Sequence, residues 1–144
     1  MRGLLGELLS SQAEVTVVDM EAGLEHLSRS GGTLRYVDHL LVVVEPYAKA
    51  IETARRTVRL AHELGIARVS LLASKVRDDA ELTLLEPLRS ESGVDLMAVV
   101  PYDDSARLAD RAGQPVLDVA PESALVRAVG ALADSLIAQG AVTP

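Results

Sequence analysis

The residues best placed to do chemistry lie in Val15-Thr-Val-Val-Asp19-Met-Glu21-Ala-Gly23. A short β-prone run ends on a carboxylate, and a glycine follows in the next turn. In α/β proteins, ligands are met at the carboxyl ends of strands. Asp19 there can hold a water of a hydrated magnesium ion, and Gly23 lets backbone approach a phosphate. The plainer reading is a strand whose Asp caps the next turn.

The other polar groups read more simply. Asp103-Asp104 follows an apolar run and Pro101, which fits a helix N-cap better than a carboxylate pair for acid–base work. His26, His39 and His62 are scattered. His26 lies near Glu21 and Glu25, and no pair has zinc-site spacing. Arg55, Arg56 and Arg59 form a basic helix face with glutamates nearby, the pattern of a solvated surface. Ser10, Ser28, Ser105 and Ser123 lack a nucleophile-elbow pattern.

The elements that position these residues alternate. Leu4, Leu5, Leu8 and Leu9 share one helical face, so the pattern predicts a helix over about 1–12 and then a strand over 15–18. Leu24–Leu27 reads as one helical turn, and Ser28–Thr33 as a Gly- and Ser-rich loop. Leu40–Val44 is a continuous apolar run, a strand buried on both faces. Ile51, Ala54, Val58, Ala61 and Leu64 step by three and four, which predicts a helix over 48–64 stopped by Gly65. Strands follow over 68–73 and 95–100. The helix between them, about 79–92, opens on the capping-box pattern Asp78-x-x-Glu81 and should kink or restart at Pro87. A short helix runs from Asp103-Asp104 to Ala112, before Gly113. Val116–Val119 reads as a short edge strand, and 122–138 as a helix burying Leu125, Val129, Leu132 and Leu136. Strand–helix alternation of this kind predicts a doubly wound three-layer α/β/α fold with a mostly parallel sheet, in a single domain over 1–144.

Composition narrows the function. The chain has 144 residues, enough for one domain with a core. That core must be aliphatic, since there are three Tyr and no Phe or Trp. A net charge of −7 and the lack of aromatic stacking platforms argue against a nucleic-acid surface. No cysteine is present, which removes disulfides and thiolate metal sites and fits a cytoplasmic protein. No apolar stretch approaches membrane-spanning length, so no membrane partner is expected.

The order of these pieces resembles the MinD/ParA-type P-loop ATPases, and within them the CooC-type accessory ATPases of carbon monoxide dehydrogenase maturation. Val-Val-Asp19-Met-Glu21-Ala-Gly23-Leu-Glu25-His26 is similar to their Walker B and switch II segment. Leu40–Pro46, Glu52–Arg56 and Leu60–Ile66 are similar to the next strand and helix. Val99-Val-Pro101-Tyr102-Asp103-Asp104, followed by Ala109-Asp110-Arg111-x-Gly113, resembles the segment near the adenine. The resemblance covers roughly 2–138, and its strength lies in order and spacing.

It implies ATP and Mg²⁺ as ligands, with Asp19 as the catalytic and metal-holding carboxylate. Glu21, Gly23, Ser74, Lys75, Pro101, Tyr102 and Asp103 would lie around the nucleotide. It implies a homodimer or a P-loop-containing partner, and a metalloenzyme client for nickel insertion. Three departures qualify these expectations. The Walker A loop, whose amides, Lys and hydroxyl hold the phosphates and Mg²⁺, has no counterpart in the fourteen residues before Val15, where the only glycines are Gly3 and Gly6 and no Lys occurs. The Cys-x-Cys pair of CooC-type proteins has none either. The family's Asn-Lys pair that reads adenine is here Ser74-Lys75, and Ser cannot make a two-point contact with a base edge. The chain is therefore expected to be the C-terminal part of such an ATPase, missing the P-loop strand and incompetent for phosphoryl transfer alone. The alternative is a degenerate, non-hydrolysing regulatory module that dimerises. A receiver domain shares the fold but needs an acidic pair after its first strand and a lone Asp after its third. Neither is present.

Overall fold

A computed structural model describes residues 15–20 and 37–140. Three parallel strands form one sheet in the order β1-β2-β3: β1 is Leu40–Val44, β2 is Val69–Val76 and β3 is Asp95–Pro101. The helix α1, Ala48–Glu63, connects β1 to β2. Two short helices, α2 (Asp79–Thr83) and α3 (Glu86–Ser92), connect β2 to β3. Past β3 come α4 (Asp104–Ala112), the single turn α5 (Val116–Val119) and α6 (Ala124–Gly140). Right-handed crossovers in a sheet that grows in one direction place α1, α2 and α3 on the same face.

That face holds the main core. Val42 and Val44 of β1, Leu71, Ala73 and Val76 of β2, Ala54 and Val58 of α1, and Leu85 and Leu88 around α3 form one buried cluster. Leu71, Leu85 and Leu88 are fully enclosed. Helix α6 packs on β3, where Val100 and Leu132 are buried outside that cluster. Among the described residues the second face is thus covered over β3 and not over β1, where Val43 is 61% exposed.

The ladder between β1 and β2 is regular from Leu40↔Val69 to Val44↔Ala73. The ladder between β2 and β3 carries two irregularities. Leu71 pairs with Leu96 but Leu72 with Ala98, so Met97 is an extra residue on β3. Ser74 pairs with Val100 but Val76 with Pro101, so Lys75 is an extra residue on β2. Lys75 takes a left-handed conformation, φ 58°, the bulge geometry that restores the face alternation so that Val76 rejoins the core.

Several expectations are corrected. Residues 15–18 form no strand: they have no regular secondary structure, and Val15, Val17 and Val18 are exposed, Val17 at 87%. Their apolar pattern suits a strand, but a strand needs a hydrogen-bonding neighbour, and β1 pairs only with β2 among the described residues. Val116–Val119 is a helical turn, not an edge strand. Pro115 sets the extended N-cap, and the N–H groups of Asp118 and Val119 donate to its carbonyl at 3.1 and 3.2 Å. Val129 of α6 is 46% exposed rather than buried, because α6 rests on a narrow sheet through Leu132. β2 runs three residues past Ala73. The expected break at Pro87 is a restart: α2 ends at Thr83, and Pro87 sits in the first turn of α3. The predicted helix over 1–12 and the loop after Gly23 lie outside the described residues.

Candidate functional site

Parallel strands bring their carboxyl ends to one edge of the sheet. Here that edge carries Glu45-Pro46 after β1, Ser74-Lys75 and Arg77 at the end of β2, and Pro101-Tyr102-Asp103 at the end of β3. Ser74 is registered against Val100, and Val76 against Pro101, so the segments around Ser74 and Pro101 are direct neighbours.

Each side chain at this edge has an identifiable support. Lys75, turned by its bulge, sets its Nζ 2.8 Å from Glu45 Oε1 and bridges the ends of β2 and β1. The Tyr102 N–H donates to the Val76 carbonyl at 2.8 Å, extending the β2–β3 pairing beyond the strand. The Arg77 guanidinium lies over the Tyr102 ring, 4.4 Å from its centroid. Arg77 is held in turn by Glu81, whose Oε2 accepts its backbone N–H at 2.7 Å. Asp78 caps α2 by accepting the Glu81 N–H at 2.9 Å, half of the expected capping box; the Glu81 carboxylate returns to the Arg77 N–H, one residue before the cap.

Asp103 has a structural task. Its Oδ1 accepts the Ser105 N–H at 2.9 Å, capping α4, and its Oδ2 accepts the Leu125 N–H at 3.2 Å in the first turn of α6. Hydrogen bonds from Ser105, then from the backbone of Leu125 and Ala124, hold its carboxyl below the usual carboxylate range. Asp104 points elsewhere, pairing with Arg107 at 3.1 Å. The cap reading of this acidic pair holds.

The structure thus brings Ser74, Lys75, Pro101, Tyr102 and Asp103 together. Asp19 is exposed, follows an irregular segment, and has no ion-pair partner among the described residues. Glu21 and Gly23 lie outside the described residues. Glu45 and Arg77 join the edge without having been singled out as site residues. Their only sequence signal is a charge one to four residues past a predicted strand. A cleft lies elsewhere, at the amino ends of the strands, lined by His39, Arg68, Ser70, Asp95, Met97 and Gln139. There His39 Nε2 is 3.0 Å from Ser70 Oγ. It contains none of the predicted site residues, and the carboxyl edge carries the argument for function.

No family model matches the chain. Individual proteins do. An ATP-binding protein of Methanocaldococcus jannaschii, itself uncharacterized, is 36% identical over 116 residues, 81% of this chain and 44% of that protein. The carbon monoxide dehydrogenase accessory protein CooC of Rhodospirillum rubrum is 34% identical over 121 residues, 84% of this chain and 44% of CooC. The chain belongs to the family of these CooC-type ATP-binding proteins. Solved structures agree on the fold. The cell division ATPase MinD of Pyrococcus furiosus superposes with a TM-score of 0.70 at 21% identity, over 94% of this chain and 57% of that one. The septum site-determining protein MinD of Pyrococcus horikoshii, complexed with Mg-ADP, gives 0.69 at 18% identity, over 94% and 54%. The chain spans less than half the length of the two curated relatives described above.

Ser74, Pro101 and Tyr102 lie on the adjacent ends of β2 and β3. Among the described residues no group of three or more His, Asp or Glu could hold a metal ion. The Tyr102 N–H and both Asp103 oxygens are also already committed within the fold. No helix of the described residues is long and apolar enough to cross a membrane.

Proposed function

We propose that this chain is the base-side portion of the ATP-binding module of a CooC/MinD-like ATPase, and that it does not hydrolyse ATP by itself. The observation carrying this reading is the adjacency of Ser74-Lys75 and Pro101-Tyr102-Asp103 on neighbouring strand ends. These are the segments whose sequence resembles the adenine side of that family. Ser74, Pro101 and Tyr102 would line the base, and Lys75 would lay its stem along it. Asp103 would act indirectly, by fixing the starts of α4 and α6 behind the ledge. Magnesium would be shared between Asp19 and phosphates held by a P-loop, and Mg²⁺ supplies charge neutralisation when bound. By the same relationship, the assembled protein serves metallocentre maturation as a dimer in the cytoplasm.

The test is a calorimetric titration with ATP and Mg²⁺, for the chain alone and with a P-loop-bearing partner, beside Asp19→Ala and Tyr102→Ala. Binding weakened by Tyr102→Ala supports the base ledge. Binding by the chain alone that Asp19→Ala abolishes would mean that phosphates are held here without a Walker A loop. A second reading, a non-hydrolysing regulatory module, is favoured by the prior commitment of Tyr102 N–H and Asp103 inside the fold. It predicts a folded chain with no ATP response in either setting, still able to bind a full-length ATPase.

A further inference from the structure

Arg77 is held at the carboxyl edge more firmly than a solvated cation needs. Its backbone N–H donates to Glu81 Oε2 at 2.7 Å, and its Nη1 lies 3.4 Å from Glu81 Oε1. Its guanidinium sits over the Tyr102 ring, 4.4 Å from the centroid. The side chain is nonetheless 59% exposed. An ion pair so exposed adds little to stability. The three contacts instead present a fixed, planar cation at the edge, and a guanidinium stacks on aromatic faces.

The acceptors around it are already engaged. Both Asp103 oxygens accept N–H groups at the starts of α4 and α6. Asp104 pairs with Arg107, Glu45 with Lys75, and Glu81 with Arg77 itself. The Val76 carbonyl takes the Tyr102 N–H. A purine with a 6-amino group is read there by an acceptor, and one with a 6-oxo group by a donor. None of these carboxylates is left to make that choice. Ser74 does not make it either, because a hydroxyl rotates to donate or to accept. Arg77 attracts a base through the π face, which adenine and hypoxanthine share.

We propose that Arg77 is the stacking platform for the base, and that this edge takes 6-aminopurine and 6-oxopurine nucleotides alike. That a base lies here at all rests on the functional reading given above. The platform and the permissiveness go beyond it, since that reading gives the base to Ser74, Pro101, Tyr102 and the Lys75 stem.

The test is a magnetic-resonance titration of the isotope-labelled full chain with adenosine and, separately, with inosine. Neither carries a phosphate, and the two differ in the 6-substituent and its tautomer. The Arg77 Nε–H and the Tyr102 amide report binding. Both nucleosides should move both resonances, with dissociation constants within about threefold of each other. Arg77→Met keeps an unbranched stem and removes the cation, and it should weaken both by about two- to fivefold. Unchanged amide resonances of Leu71 and Ala73, in the buried cluster, show that this variant is folded. A preference of about tenfold or more for either nucleoside overturns the permissiveness. Constants that Arg77→Met leaves unmoved overturn the platform, and the lack of a shift with either nucleoside overturns both. A titration with ATP and Mg²⁺, beside a P-loop-bearing partner, separates this inference from the reading beneath it. ATP binding with no nucleoside response that depends on Arg77 rejects the platform and keeps the ATP-binding module. Nucleosides that bind a chain silent toward ATP reject the module and leave a purine site.

Discussion

The β3 side of the sheet and the β1 side are made from similar residues and finished differently. β3 has β2 on one flank and α6 on its second face, and the turn after it is tied down by Asp103. β1 shares the buried cluster through Val42 and Val44, while among the described residues nothing pairs with its outer edge and Val43 on its second face is exposed. Burial on one face is enough to fix a strand's position, since register follows from which residues must face the core. It is not enough to complete a sheet. The contrast shows where the described structure stands as a finished unit and where it expects company.

The largest effect should come from comparing the covered face with the bare one. Leu88→Ala empties a fully enclosed site and should lower stability by about 2–5 kcal/mol. Val43→Ala should change it by no more than about 0.5 kcal/mol. Urea unfolding of both variants checks this, and equal costs would erase the distinction between the faces. The next effect concerns the tie at Asp103. Its folded carboxyl is held low by Ser105 and by the α6 backbone, so its contribution is present above the ordinary carboxylate range. That contribution is lost as pH falls through the lowered value. Asp103→Asn should therefore destabilise at neutral pH and flatten the acid limb of the stability curve. An unchanged acid limb would remove Asp103 as the clasp of the β3 side.

A smaller effect belongs to His39, just before β1. Burial, and then the Arg68 charge, push its imidazole below the ordinary 6.5. The fold therefore favours the neutral ring, and stability should drop as pH falls below about 6.5. His39→Gln should abolish that slope, measured by thermal melts between neutral and mildly acidic pH. The smallest effect is on the solvated face of α1. Arg59 and Glu63 are 3.8 Å apart and largely exposed. Arg59→Ala should shift stability by no more than about 0.5 kcal/mol.

Much of this architecture could be read from local signals. The run Leu40–Val44 stops at Glu45-Pro46, α1 follows its three-and-four spacing, and Asp78 and Asp103 announce helix starts by residue type. What escaped was set by distant partners. Val15–Val18 has strand chemistry, but only a neighbouring edge can make it a strand. Val116–Val119 is rich in valine, yet Pro115 and the packing of α5 against α4 wind it into a turn. Neither bulge leaves a mark in the sequence, because an extra residue is defined only by the strand opposite. At the site, the grouping of Ser74 with Pro101 followed from parallel topology. The stacking of Arg77 on Tyr102 and the second bond from Asp103 to α6 did not, since each joins segments whose contact no local pattern encodes.

The double grip of Asp103 bears on what a protease would do. A single carboxylate joins the start of α4 to the start of α6, 22 residues later in the chain. Between them run Gly113, the exposed turn α5 and the exposed Pro121-Glu122. Cleavage in that connection leaves α6 attached by Asp103 and by its packing on β3. The nicked molecule should elute as one particle under native conditions and separate into two peptides only in denaturant. The continuity of the backbone there is a convenience of synthesis; the shape is kept by side-chain clasp and packing.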